Sequence, residues 1–250
     1  MAASFEDLLA EGASIPVEGW DFSWFEGRAT EERPPWGYSR LLAERMATAH
    51  AALDIDTGGG EVLAQIPHPP PVLVAAESWV PNLAIAQRNL APLGASVVAV
   101  SEEGDLPFPA GTFDLVVSRH PVDTQWDEVA RVLAPGGTFL SQQVGAGSVR
   151  ELTDAMMGPQ EVSLTRDPRR AVAEAEAAGL EVVDLRTAAL RMAFYDVAAV
   201  IVFLRKVIWT VPGFTVNAYR PQLAEMHERI QAGGPFVAHS QRFLIEARKR

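Results

Sequence analysis

The chain of 250 residues contains no cysteine. That one absence excludes disulfide frameworks, cysteine-ligated zinc, iron–sulfur clusters and thiol catalysis. Long apolar runs are missing too. The longest, Val197 to Leu204, stops at Arg205-Lys206, far short of the roughly 20 residues that cross a membrane. Positive charge is scarce: 21 Lys+Arg stand against 32 Asp+Glu, a formal net charge of −11. An acidic surface disfavours nucleic acid, which is bound by neutralising phosphates. The opening MAASFEDLLAEG carries acids rather than bases and no apolar stretch of signal-peptide length. The expectation is a soluble cytoplasmic protein with no membrane partner and with nucleic acid a disfavoured one. The five histidines lack metal-ligand spacing, so no metal is expected.

What is present is an ordinary globular composition, 48% apolar and 21% charged, at a length that suits a single domain. From about residue 50, strand-like and helix-like segments alternate. His50 to Asp56 reads as a buried strand feeding a helix from Gly58 to Ile66. Val72 to Ala76 is a second strand, 79–91 an amphipathic helix and Ala95 to Val100 a third strand. Phe113 to Val117 is strand, Trp126 to Leu133 helix, and Pro135-Gly136-Gly137 precedes a strand from Thr138 to Val144. A helix at Ala171 to Ala178, a strand from Leu180 towards Met192, a buried helix at Val197 to Trp209, a helix at Pro221 to Gln231 and a last strand at Phe236 to Ala247 complete the pattern. Such alternation implies a doubly wound, mostly parallel sheet covered on both faces, with its ligand crevice at the carboxyl ends of the strands.

The first 49 residues differ. Trp20, Phe22, Trp24, Phe25, Trp36 and Tyr38 are six of the chain's 20 aromatics, and they suit either a cap over the crevice or plain packing onto the sheet. Residues 195–234 form a helical insertion before the last strand. It can roof an acceptor pocket or simply complete the core.

The turn after the first strand reads Asp54-Ile55-Asp56-Thr57-Gly58-Gly59-Gly60. Glycines there let backbone amides approach a ligand, and a following helix would add positive potential. The turn is neither a dinucleotide fingerprint nor a phosphate loop. Glu77 ends the second strand and Glu102 follows the third. Carboxylates at consecutive strand ends suit a phosphate-free adenosyl ligand, with Glu77 able to accept both ribose hydroxyls.

Asp54-x-x-x-Gly58-x-Gly60, Glu77 with Asn82-Leu83-x-x-Ala86, Glu102 before Leu106-Pro107-Phe108-Pro109, Phe113-Asp114-Leu115-Val116, and Arg131-Val132-Leu133-x-Pro135-Gly136-Gly137 follow in order. This series resembles the successive motifs of class I S-adenosylmethionine-dependent methyltransferases, continuously over 50–144. The resemblance implies a seven-stranded sheet with an antiparallel last strand, one domain over 1–250 with its cofactor core at 50–144, and S-adenosylmethionine as cofactor. By position, Asp54, Thr57, Gly58 and Gly60 would hold the methionine portion, Glu77 the ribose, and Ser78 and Trp79 one side of the adenosine. Glu102 and Glu103 would take the adenine edge, Ser118 the floor below the methyl group, and Tyr38 the amino-acid end.

One position departs from the pattern. Asp56 stands where the family has glycine, and it can pair with the cofactor ammonium or crowd it. His120, two residues past Ser118, is the candidate general base, with a pocket-lining role as the alternative. The loop Ser118-Arg119-His120-Pro121 lacks the Asn/Asp-Pro-Pro-aromatic pattern of many base- and amide-nitrogen methyltransferases. The favoured activity is methyl transfer to a small or medium-sized organic acceptor on oxygen, carbon or nitrogen. A catalytically altered binding module, a ribosomal RNA methyltransferase and a nicotinamide-dependent dehydrogenase follow in that order.

Overall fold

A computed structural model describes residues 3–17, 22–101 and 104–250. Its strands are β1 (Ala29–Glu31), β2 (Ala51–Ile55), β3 (Val72–Glu77), β4 (Ser96–Ala99), β5 (Phe113–Arg119), β6 (Leu133–Val144), β7 (Leu180–Phe194) and β8 (Phe236–Lys249). Its helices are α1 (Phe5–Ser14), α2 (Tyr38–Met46), α3 (Val80–Leu90), α4 (Trp126–Val132), α5 (Arg150–Met157), α6 (Pro168–Ala177), α7 (Val197–Lys206) and α8 (Arg220–Gly233). Among the described residues no helix is long and apolar enough to cross a membrane.

The chain forms two compact units. One comprises Pro34–Ala146, Leu164–Ala188 and Arg242–Arg250, and the other Met1–Arg33, Gly147–Ser163 and Ala189–Gln241. Within the first, β2 pairs in parallel with both β3 and β5, β3 with β4, and β5 with β6, while the end of β8 runs antiparallel to β6. Period-two alternation explains the two faces. Leu53, Val116 and Phe139 pack with Trp126, Val129, Ala171 and Phe243 on one side. Ala52, Val117 and Leu140 pack with Trp36, Tyr38, Leu42 and Leu90 on the other. Each fully buried side chain of this size contributes about 1.5–3 kcal/mol. In the second unit Val197–Leu204 of α7 lie within an apolar cluster with Leu8, Leu9, Leu223 and Met226, as the all-round hydrophobicity predicts, but the helix ends at Lys206 rather than Trp209, and Ile208 and Trp209 are exposed.

Two family motifs serve the scaffold. The Asp114 carboxylate accepts from the backbone N–H groups of His50 and Ala51 at 2.9 Å each, fixing the start of β2. The Arg131 guanidinium donates to the carbonyls of Phe108 (2.7 Å) and Leu106 (2.9 Å), which pins the segment between β4 and β5.

Two expectations are corrected. The sheet has eight strands, in the order β1-β7-β8-β6-β5-β2-β3-β4, rather than seven. β7 is 15 residues long, and its end at Met192–Phe194 offers an edge on which Glu31, Thr30 and Ala29 pair antiparallel. Three residues carry too little periodicity to be read as a strand. The helix expected at Gly58 to Ile66 is a single 3₁₀ turn at Leu63–Gln65. Two left-handed glycines precede it and Pro67 follows it, leaving no room for a nucleus of regular helix.

Candidate functional site

β2 lies at the switch point of the sheet, with β3 on one side and β5 on the other, so a crevice opens at their carboxyl ends. The chain leaves β2 through Asp56 (φ +57°), Gly58 (+64°) and Gly60 (+76°). Aspartate is among the few L-residues that enter the left-handed region, so the turn forms without the glycine the family has at Asp56. At Gly60 a Cβ would lie 2.8 Å from Leu90 Cγ, so substitution there meets both strain and a clash. With no regular helix after the turn, its positive character comes from individual amides rather than from a helix dipole.

Those amides are already directed at a carboxylate. Glu77, 5% exposed at the end of β3, accepts from the Gly58 N–H at 2.7 Å and the Trp79 N–H at 2.8 Å, one on each oxygen. Each oxygen keeps a lone-pair direction for a further donor. Asp54 is buried at the end of β2 and accepts from the Thr57 hydroxyl at 2.7 Å. Burial pushes its pKa up to about 7; the Thr57 hydrogen bond opposes this, the charges of Asp56 and Glu77 add to it, and Arg119 opposes it. Ser78 is half-buried and the Trp79 ring is exposed beside this turn. Glu102 and Glu103 lie outside the described residues.

On the other side of the switch point, Ser118 is buried in β5, and its Oγ has no hydrogen-bond partner. Tyr38, at the start of α2, donates its hydroxyl to the Ser118 carbonyl at 3.2 Å. Burial, reinforced by the charge of Asp54, raises the phenol pKa well above its ordinary value, so Tyr38 stays a neutral donor.

His120 follows β5 with φ +58°. Its backbone N–H donates to the Gln142 carbonyl at 2.7 Å. The Trp36 indole N–H donates to Gln142 Oε1 at 2.8 Å, and Gln142 Nε2 stands 3.0 Å from His120 Nε2. An indole can only donate, so Gln142 turns its oxygen to Trp36 and its amide hydrogens to the imidazole. His120 Nε2 is therefore the acceptor, and the ring proton sits on Nδ1. Burial, with the positive charges of Arg119, Arg242 and Arg166, holds the imidazole pKa well below its ordinary value. The ring is neutral at pH 7, as an accepting Nε2 requires.

The tertiary structure thus brings Asp54, Asp56, Thr57, Gly58 and Gly60 together with Glu77, Ser78 and Trp79 at one turn, and Ser118, Tyr38 and His120 on the β5 side. Sequence reasoning missed Trp36, Arg119 and Gln142 as members of the site. The available signal was the polar run Ser141-Gln142-Gln143 at the end of an otherwise apolar strand.

A cavity of about 360 Å³ opens beside the segment that follows His120. Its lining includes Thr124, Trp126, Gln143, Arg166, Arg170 and Phe243.

Residues 53–141 match the family model described as a methyltransferase domain. No curated protein matches the sequence. Among solved structures the chain is similar to the YcgJ protein from Bacillus subtilis, with TM-score 0.61, 20% identity, and coverage of 85% of this chain and 97% of that one. It is similar also to a geranyl diphosphate methyltransferase in complex with S-adenosylmethionine, with TM-score 0.52, 12% identity, and coverage of 85% and 84%. A third similarity is to the [4+2]-cyclase SpnF, with TM-score 0.54, 17% identity, and coverage of 98% and 91%. At these identities the likenesses establish the fold. The span from Leu53 to Ser141 thus matches a methyltransferase domain, and the chain shares the fold of these solved structures.

Proposed function

We propose that this protein transfers a methyl group from S-adenosylmethionine to a small organic acceptor. The observation that carries the reading is the Glu77 carboxylate, held by the Gly58 and Trp79 amides beside Asp54 at the switch point. The donor set fits this cofactor. Three carboxylates, Asp54, Asp56 and Glu77, suit an ammonium, a sulfonium and ribose hydroxyls, and they would repel a pyrophosphate. Arg119, whose charge reaches both Asp54 and Tyr38, supplies a cation for the amino-acid carboxylate. The unpartnered Ser118 Oγ lies in β5 at the expected floor.

When bound, the cofactor supplies an activated methyl group. Held by Asp54 and Glu77, it would offer that methyl carbon to the acceptor for in-line displacement from sulfur. The protein's part is alignment and exclusion of water. Asp54 accepts from the ammonium with Thr57 steadying its other lone pairs, and Glu77 holds the ribose. Ser78 and Trp79 flank the adenosine, and the adenine edge is assigned to Glu102 and Glu103 on the sequence resemblance alone. His120, neutral and with its ring proton on Nδ1, is assigned to the acceptor side. General-base action at Nε2 needs the Gln142 contact to open, so a neutral, orienting donor suits the geometry better. Acceptors that lose no proton, or that lose it to solvent, suit such a site.

Titration calorimetry with S-adenosylmethionine and S-adenosylhomocysteine tests the reading. Saturable binding of both is expected, and no heat at millimolar ligand would sink it. A second reading, an altered member that binds without transferring, is favoured by Asp56 in place of glycine. Binding without turnover across a broad acceptor panel would support it.

A further inference from the structure

The sequence, with its net charge of −11, gives no hint of clustered guanidinium groups, yet three of them act on His120 from three elements. Arg119 ends β5, Arg166 precedes α6 and Arg242 lies in β8. Arg166 also lines the cavity beside this segment. The charges facing the cavity sort unequally. Arg170 pairs with Glu174 at 2.6 Å and also feels Asp123. The Asp167 side chain accepts from the Arg169 backbone N–H at 2.7 Å as the cap of α6. Glu174 and Asp167 are therefore engaged locally, Asp123 acts on Arg170 through its charge alone, and the Arg166 guanidinium has no carboxylate partner among the described residues. The rest of the lining is amphipathic. Buried Trp126 and Phe243 give an apolar floor, and Gln143 donates to Thr124 at 3.0 Å along a polar wall. A volume of about 360 Å³ suits a molecule the size of a substituted aromatic ring.

Taking methyl transfer at the adjoining crevice as given, we infer that the acceptor is a small molecule with an apolar body and an anionic end, a carboxylate or a phosphate monoester, which Arg166 binds in this cavity. A half-buried guanidinium beside an aromatic floor is the arrangement that selects an oxyanion carried on a flat apolar body. A neutral analogue would leave the guanidinium desolvated and unpaired, and discrimination of that kind is strong.

The experiment uses benzoate, phenyl phosphate and benzamide as probes of the full-length protein at constant ionic strength. Nuclear magnetic resonance follows the Trp126 indole and the His120 ring. One or both anions should bind at least tenfold more tightly than benzamide. The tighter of the two decides between carboxylate and phosphate monoester. In Arg166→Gln the preference for anions should collapse, in Arg166→Lys it should partly survive, and in Arg88→Gln, an exposed control on α3, it should be unchanged. Equal binding of benzamide, no binding by any probe, or full anion preference in Arg166→Gln overturns the inference. S-adenosylhomocysteine binding, measured on the same samples, separates the two readings. Its loss with anion preference intact sinks only the methyl-transfer reading, and its retention without anion preference sinks only this one.

Discussion

Cofactor binding should release a proton from Asp54 near neutral pH. The carboxyl is buried and its pKa is raised to about 7, so the unliganded protein at pH 7 holds it about half protonated. A bound ammonium or sulfonium within a few ångströms favours the carboxylate. If the cation restores the ordinary value near 3.8, the proton released is the fraction bound beforehand, about 0.9 at pH 6 and about 0.5 at pH 7. Only the ionised form accepts the cation, so affinity should rise about fivefold between those two pH values. Both lie below the range in which a free α-ammonium, pKa about 7.7–8.0, loses its charge, so the ligand contributes little. Calorimetry of S-adenosylmethionine in two buffers of different ionisation enthalpy at each pH reads the proton directly. A buffer-independent heat at pH 6, or an affinity that does not change between pH 6 and 7, refutes the reasoning that Asp54 is buried, protonated and ligand-facing.

The same group governs stability. Its folded pKa lies above the unfolded value, so the folded state binds the proton more tightly, and the advantage present below the unfolded pKa is lost as pH rises through about 7. The shift of about 3 units corresponds to roughly 4 kcal/mol. Urea unfolding of the unliganded protein should show lower stability at pH 8 than at pH 5, and Asp54→Asn should flatten the profile and exceed the wild type at pH 8; parallel profiles would count against it. Asp56→Gly removes a left-handed L-residue and should stabilise the turn by about 1 kcal/mol or less. It also removes a charge that raises the Asp54 pKa, so the proton release at pH 6 should shrink. An unaltered release would mean that the two carboxylates are not coupled.

Much of the site was legible in the sequence because its residues lie on a continuous strand, turn and strand. Asp54 and Glu77 each end a strand, and parallel pairing of β2 with β3 brings two strand ends together wherever the chain has two apolar runs and a tight turn. The glycine turn was legible for the same reason, but its continuation was not. Gly58 to Ile66 has the length of a helix, and only the left-handed backbone at Gly58 and Gly60 leaves it a single 3₁₀ turn. The eighth strand was hidden because Ala29–Glu31 pairs with the end of β7 without any pattern of its own.

Local chemistry along the chain therefore determined the class of fold, the succession of strands from β2 onward, the acidic strand ends of the candidate site and the candidacy of His120. Tertiary structure alone decided what those groups are in their surroundings. Trp36 and Gln142 are 106 positions apart, and the indole fixes the glutamine, which fixes the tautomer of His120. Arg119, Arg166 and Arg242 contribute to a net charge that reads as acidic until folding gathers them around one imidazole. Composition sums charge over the whole chain. The field at a site depends on distance and on burial, and those exist only once the chain has folded.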